Sequence, residues 1–356
     1  MKLGEEMIPI GEPAAIAKVV DASEALLDRD AKPIVRRGQH PKQHGCVRAE
    51  FRVEHGLPTT CRVGLFAEEG KVYPCYIRFS NGRQQDDRQG DAHGMAIKLM
   101  GVPGRKVLDE EANEETHDFV LVDNPVFFLP NAIDYGHFSD ATEKSRGKVP
   151  SLTNRALGFL PGQVRELGTI ILLYFFPRRL GQLSRLIHFA SKKPGNPLGT
   201  RYWSTTSYQF GPGQAVKYSA TPESIVAGPP ASSASSLSAD FLREAMAAVL
   251  DVREARFSFA VQFQTDAATM PIEDPTVDWD ETKSRFLTVA TIAIAPQEFN
   301  TPDRMTFGEN LSFTPWHALP EHRPLGGINR TRRAVYSALS KLRHKLNNVP
   351  MREPTP

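Results

Sequence analysis

Cysteine is scarce in this chain. Cys46, Cys61 and Cys75 are the three present among 356 residues, and no two form a C-x-x-C pair. An odd, scattered set argues against a disulfide framework or a cysteine zinc site and points to a reducing compartment, the cytoplasm. An excess of one charge is missing as well: Lys+Arg 43 against Asp+Glu 41 leaves the chain near neutrality, unlike a protein that binds nucleic acid through bulk basic charge. The first residues, MKLGEEMIPIGEPAAIAKVV, lack a basic start followed by an apolar run, so no signal peptide is expected. There is no G-x-G-x-x-G, phosphate-binding loop, G-x-S-x-G or H-E-x-x-H, and His93, His117 and His137 are too scattered to read as a metal set.

Long apolar runs are also wanting. The longest, in LGTIILLYFFPRRLGQLSRLIHFASKK (167–193), is about half of the roughly 20 residues that span a bilayer. A helix buried in the core or at a subunit interface accounts for it. The rival is an element lying on a membrane surface, with Leu172 and Phe175 in the lipid and the arginines at the head groups.

What is there reads as α+β. PAAIAKVVDASEALLDRD (13–30) has the spacing of an amphipathic helix that starts on proline. Strand-like alternation follows, through Val47, Ala49, Phe51 and Val53, then in CRVGLF, KVYPCYIRFS, HGMAIKLMGV and HDFVLVDNPVFF. Residues 131–200 look mainly helical. Alternation returns in TTSYQF, AVKYSA, ARFSFAVQFQ and SRFLTVATIAIAP, with a helical SLSADFLREAMAAVL between them. Short alternating runs broken by turns predict an antiparallel barrel or meander. The expected layout is one domain over 1–356: barrel strands at about 45–130 and 203–295, a helical insertion at about 131–200, and a final helix at about 330–346.

That final helix, RTRRAVYSALSKLRHKL, sets Arg332 one turn before Tyr336, where the two share a face. A surface helix with its ring tucked inward is the ordinary meaning of such a stretch. The alternative is a phenolate held by the guanidinium, because a neighbouring cation favours the charged form of a tyrosine.

Five islands then occur in sequence: RRGQHPKQHGCVRAEFRV, YIRFSNG, DAHGMAIKLMGV, FVLVDNPVFFLP and RRAVY. Together they resemble the core of the heme catalases, over roughly 33–130 and 305–346. The family has R-x-x-H-A-K-G before an F-x-V strand, then R-F-S, an R-G-F-A-V-K-F-like strand, L-V-x-N-N-T-P-V-F-F and R-x-x-x-Y. The resemblance implies a catalase-like antiparallel β-barrel with surrounding helices, and ferric heme b with Tyr336 as its metal ligand and Arg332 as the partner of that ligand. It implies that Arg37, Arg78 and Ser80 also contact the heme, the two arginines through its propionates, and that Phe79 lies beside the pocket. His40 resembles the distal base and Asn124 the distal amide, with Asp123 structural. His44 competes with His40, because the segment from His40 to Phe51 is one residue longer than the family spacing; D-N-P is one residue shorter than N-N-T-P. Phe127 and Phe128 belong either beside the heme or in the core.

The implied activity is cleavage of the O–O bond of hydrogen peroxide or an organic hydroperoxide, as in a catalase-related peroxidase. Gln39, where the family has a small apolar residue, makes the pocket more polar and counts against efficient dismutation. Two alternatives stand beside it: conversion of a fatty-acid hydroperoxide, as in allene oxide synthases, and a heme-free barrel that binds an apolar ligand. The expected partners are a small peroxide or lipid hydroperoxide and another copy in a homo-oligomer, with membrane contact through 167–193 as the rival noted above.

Overall fold

A computed structural model describes residues 2–31, 34–145, 174–175, 179–226, 228 and 236–355. The alternating runs form β1 (Lys42–Val53), β2 (Val72–Asn81), β3 (His93–Met100), β4 (Thr116–Val122), β5 (Tyr202–Trp203), β6 (Tyr208–Gln209), β7 (Ala215–Pro222), β8 (Ala255–Phe263) and β9 (Leu287–Ile294). Every pairing is antiparallel, in the order β5-β4-β3-β2-β1-β9-β8-β7-β6. Strand β5 joins the two ends. Trp203 pairs with Val122 on one side and Ser219 on the other, closing eight strands into a barrel with β6 as an added flap on β7.

Side chains alternate across each strand, so one set fills the barrel and the other faces outward. Phe51, Phe119 and Phe259 meet at the centre, with ring centroids 4.7–6.0 Å apart. From β3 the inward set is Met95, Ile97 and Leu99. Of the outward set, Gly94 and Ala96 face a cavity and Lys98 meets the C-terminal segment. Phe79 joins the inward set, against Tyr202 and Phe257, and not the pocket wall expected of it. Its neighbours in the strand, Arg78 and Ser80, point the other way.

The extra residue between His40 and Phe51 is absorbed locally. The β1–β2 register shifts between Gln43 and Gly45, so His44 is the additional residue of a bulge and the flanking strand keeps its faces.

Six helices lie outside the barrel among the described residues: α1 (Glu12–Leu26), α2 (Ala132–Ser145), α3 (Leu180–Phe189), α4 (Phe241–Leu250), α5 (Pro302–Asn310) and α6 (Gly327–Asn347). Helix α1 stops four residues short of expectation, because Leu27 turns extended. Helix α5 is unanticipated, although Thr301-Pro302-Asp303 carries the marks of a start: the Thr301 side chain caps Arg304 N at 3.4 Å and proline occupies the first turn. Helices α1 and α2 cross closely at Gly136, where a Cβ would lie 3.0 Å from Ala15.

Much of the apolar run at 167–193, including Leu172, lies outside the described residues. Phe175 is fully buried, packed with Tyr174 and Phe138, so it does not present itself to a lipid surface. No helix among the described residues is long and apolar enough to cross a membrane.

Candidate active site between the barrel and its helices

Two adjoining cavities, of about 110 and 310 Å³, lie against the outer face of β2–β4. The larger reaches the range of ordinary ligand pockets, roughly 300–1,000 Å³. Gly38, Gln39, His40, Val120 and Tyr336 belong to both. Residues from near the two ends of the chain therefore wall one space.

His40 sits on the turn before β1 with a left-handed backbone, φ 55°, and its N–H donates to the Gly82 carbonyl at 2.9 Å. Its Nδ1 hydrogen-bonds Ser80 Oγ at 3.1 Å. Room for this ring comes from Gly94 on β3: a Cβ there would lie 2.7 Å from His40 Nδ1 and 2.9 Å from Ser80 Oγ. Burial, reinforced by Arg78 and opposed by Asp91 and Asp123, pushes the imidazole down to about 4. It is therefore neutral and able to accept a proton at ordinary pH. Among the described residues Nε2 makes no hydrogen bond.

His44 is elsewhere. It is fully buried, its Nε2 is 2.8 Å from Asn81 Oδ1, and it lines neither cavity.

Tyr336 and Arg332 meet on α6 as their spacing predicts. Arg332 Nη2 donates to the phenol oxygen at 3.4 Å, and its guanidinium carbon is 5.4 Å from the ring centroid. Thr206 Oγ1 and Asn329 Oδ1 accept from Nη1 at 3.4 and 3.3 Å and fix the guanidinium from behind. Burial works against the charge on Arg332, but the Tyr336 and Tyr208 phenols outweigh it and hold the group above its ordinary value.

Arg37 and Arg78 line the smaller cavity, joined by Arg343, which the sequence reading passed over. A signal existed: Arg343 is seven residues, two helical turns, beyond Tyr336 on the same face. Behind them lies Glu309, also unforeseen. It accepts from Arg37 Nη1 at 2.8 Å and Arg78 Nη2 at 3.1 Å, while its backbone carbonyl accepts from Arg343 Nη1 at 2.5 Å. Burial opposes an ionised Glu309, yet Arg78 and Arg37 hold its carboxyl below the usual range. Burial pushes Arg37 down and brings Arg343 to about 10. Three guanidinium groups face one carboxylate, so two positive charges stay uncompensated beside the cavity.

Asn124 is not on the wall. Its amide donates to Asp123 Oδ1 at 3.2 Å and to the Phe189 carbonyl at 3.5 Å, and Asp123 in turn holds His93 Nδ1 at 2.8 Å. From β4 the cavity receives Val120 and Val122 instead. Phe127 and Phe128 do line the larger cavity, with Phe138, Leu186 and Phe189.

A heme fits this donor set. The space is mostly apolar, a phenol with a cationic partner and a neutral imidazole share its walls, and a pair of uncompensated positive charges at one end suits two carboxylates.

Several known proteins are similar to this chain in sequence or fold. A family model described as catalase matches residues 13–163. A catalase-related peroxidase of Mycolicibacterium paratuberculosis (strain ATCC BAA-968 / K-10) is 27% identical over 325 residues, covering 86% of this chain and 92% of the relative. Catalase A from Saccharomyces cerevisiae superposes with a TM-score of 0.68 at 17% identity, over 98% of this chain and 69% of that one. A bacterial catalase gives 0.63 at 16% identity, over 99% of this chain and 65% of that one. The chain thus spans about two thirds of the length of these catalases.

Proposed function

Because the chain belongs to the catalase superfamily, we propose that it is a heme-dependent oxidoreductase that cleaves the O–O bond of hydrogen peroxide or an organic hydroperoxide. The observation that carries this is the meeting of Tyr336 and His40 on one cavity beside the surplus arginines. Bound heme supplies the iron at which a peroxide is activated.

Tyr336 would hold that iron through its phenol oxygen, to which Arg332 donates. Arg37, Arg78 and Arg343 would receive the propionates. Ser80 fixes the His40 ring through Nδ1, leaving Nε2 to take the proton from one peroxide oxygen and return it to the other as the bond breaks. The neutral state of His40 suits that task, since a protonated ring has no lone pair to offer.

Conversion of an organic, fatty-acid-like hydroperoxide is the second reading, favoured by the aromatic wall of the larger cavity. Oxygen release from hydrogen peroxide, measured beside consumption of cumene and linoleate hydroperoxides, separates the two. In either case His40→Ala is expected to lower turnover by about 10²–10⁴-fold with hemin uptake retained. Unchanged turnover in that variant would contradict the assignment.

A further inference from the structure

An uncharged donor near the base suits peroxide positioning, because a carboxylate would repel a peroxide anion and an amide donates without titrating. The residue expected to provide it, Asn124, lines neither cavity and has its amide committed to Asp123 and the Phe189 carbonyl, and the β4 wall there is apolar. The remaining polar groups around His40 are few. Ser80 is committed to Nδ1 of His40. Asp91 is an acceptor, taken up by the backbone N–H groups of Arg83, Gln84 and Ala92. Thr205 lines the larger cavity, next in the chain to Thr206, the partner of Arg332.

Gln39 differs from all of these. It immediately precedes His40, lines both cavities, and donates from Nε2 to the Tyr135 hydroxyl of α2 at 3.2 Å. Tyr135 lines the larger cavity and is near enough to Tyr336 and Arg332 to feel their charges. Burial raises the Tyr135 phenol, so it keeps its proton. Among the described residues the second amide N–H of Gln39 and the O–H of Tyr135 have no acceptor.

We propose that Gln39, braced by Tyr135, is the substrate-positioning residue of this site, an amide reaching the peroxide from the turn before β1 instead of from the end of β4. This rests on the heme reading above and names the residue that does there what Asn124 was expected to do. An amide or phenol donor next to His40 holds either oxygen of a hydroperoxide without titrating, and so without changing the proton inventory of His40.

Fluoride binding to the hemin-loaded protein tests this without turnover, since fluoride on ferric heme accepts hydrogen bonds from neighbouring donors and its affinity reads out in the absorption spectrum. Gln39→Leu is expected to weaken fluoride about tenfold, the loss of one hydrogen bond to an anion, and Tyr135→Phe to weaken it by a smaller factor, both with hemin affinity unchanged. Adding Val122→Asn to Gln39→Leu, which moves the amide to β4, is expected to restore part of the affinity. Hemin uptake with fluoride affinity unmoved by Gln39→Leu would overturn this proposal alone. A wild-type chain that takes up no hemin would overturn the heme reading and this proposal with it.

Discussion

Two buried charge clusters lie on the outer face of the same barrel, and they differ in how they are balanced. In one, Lys98 of β3 is fully buried and meets Asp118 at 2.8 Å and the Glu353 carboxylate of the C-terminal segment. His317 bridges Asp118 at 2.9 Å and Glu111 at 2.6 Å, and Thr116 donates to Glu353 at 2.8 Å. Every cation there has a carboxylate. In the other, Arg37 and Arg78 share the single carboxylate of Glu309, Arg343 reaches its backbone carbonyl, and all three open onto a cavity. A cluster that completes itself pins chain segments together; one left positive beside a cavity is prepared for an anionic ligand.

Breaking the balanced cluster is expected to cost most. Lys98→Met leaves Asp118 and Glu353 buried with His317 as their remaining cation, a loss of roughly 3–5 kcal/mol in urea unfolding. A loss below about 1 kcal/mol would show that the cluster is not a stabilising unit. Glu309→Gln comes next: it takes the carboxylate from Arg37 and Arg78, and a destabilisation of about 3 kcal/mol is expected, with hemin affinity retained because the positive surplus grows.

Arg37→Met sharpens the contrast. It removes one of three like charges that burial already disfavours, so the free chain is expected to change by less than about 1 kcal/mol while hemin affinity falls severalfold. Equal losses of stability from Lys98→Met and Arg37→Met would erase the distinction.

Acidity tests the same comparison. Burial and Lys98 work against a proton on His317, but Asp118 and Glu111 prevail and raise its pKa to about 9. A raised histidine contributes stability that is fully present below its unfolded value near 6.5 and is lost as pH rises through 9. Glu353 is held below its ordinary range by Lys98 and His317 against burial, so its contribution fades as pH falls below that of a free carboxyl. Unfolding experiments should therefore show a decline between about pH 6.5 and pH 9 that His317→Gln reduces. A decline unaltered by that variant would place its origin elsewhere. A modest effect concerns neither cluster: Thr301→Ala, at the cap of α5, is expected to cost about 1 kcal/mol.

The legible parts of the sequence were those governed by local period. Alternation at Val47, Phe51 and Val53 gave β1 its faces, and the four-residue step from Arg332 to Tyr336 gave the pair its contact. Closure of the barrel was less visible, because Tyr202–Trp203 is too short to leave a pattern. Glu309 was hidden for another reason: its partners lie far away in sequence, and only the packing of α5 on β1 and β2 brings them together. The two irregular segments came out differently. At His44 a bulge absorbed the added residue and His40 stayed at the cavity. After Val122 the strand ends, so Asn124 no longer follows the alternation that carries Val120 and Val122 to the wall. A motif aligned by its letters therefore misplaces a side chain when a residue is missing beside it.

The most direct test is the absorption spectrum of the purified protein titrated with hemin, wild type against Tyr336→Phe. The account predicts saturable uptake of one hemin per chain with a high-spin ferric Soret band, lost or shifted in Tyr336→Phe. A chain that takes up no hemin, or a spectrum identical in the two proteins, would contradict it.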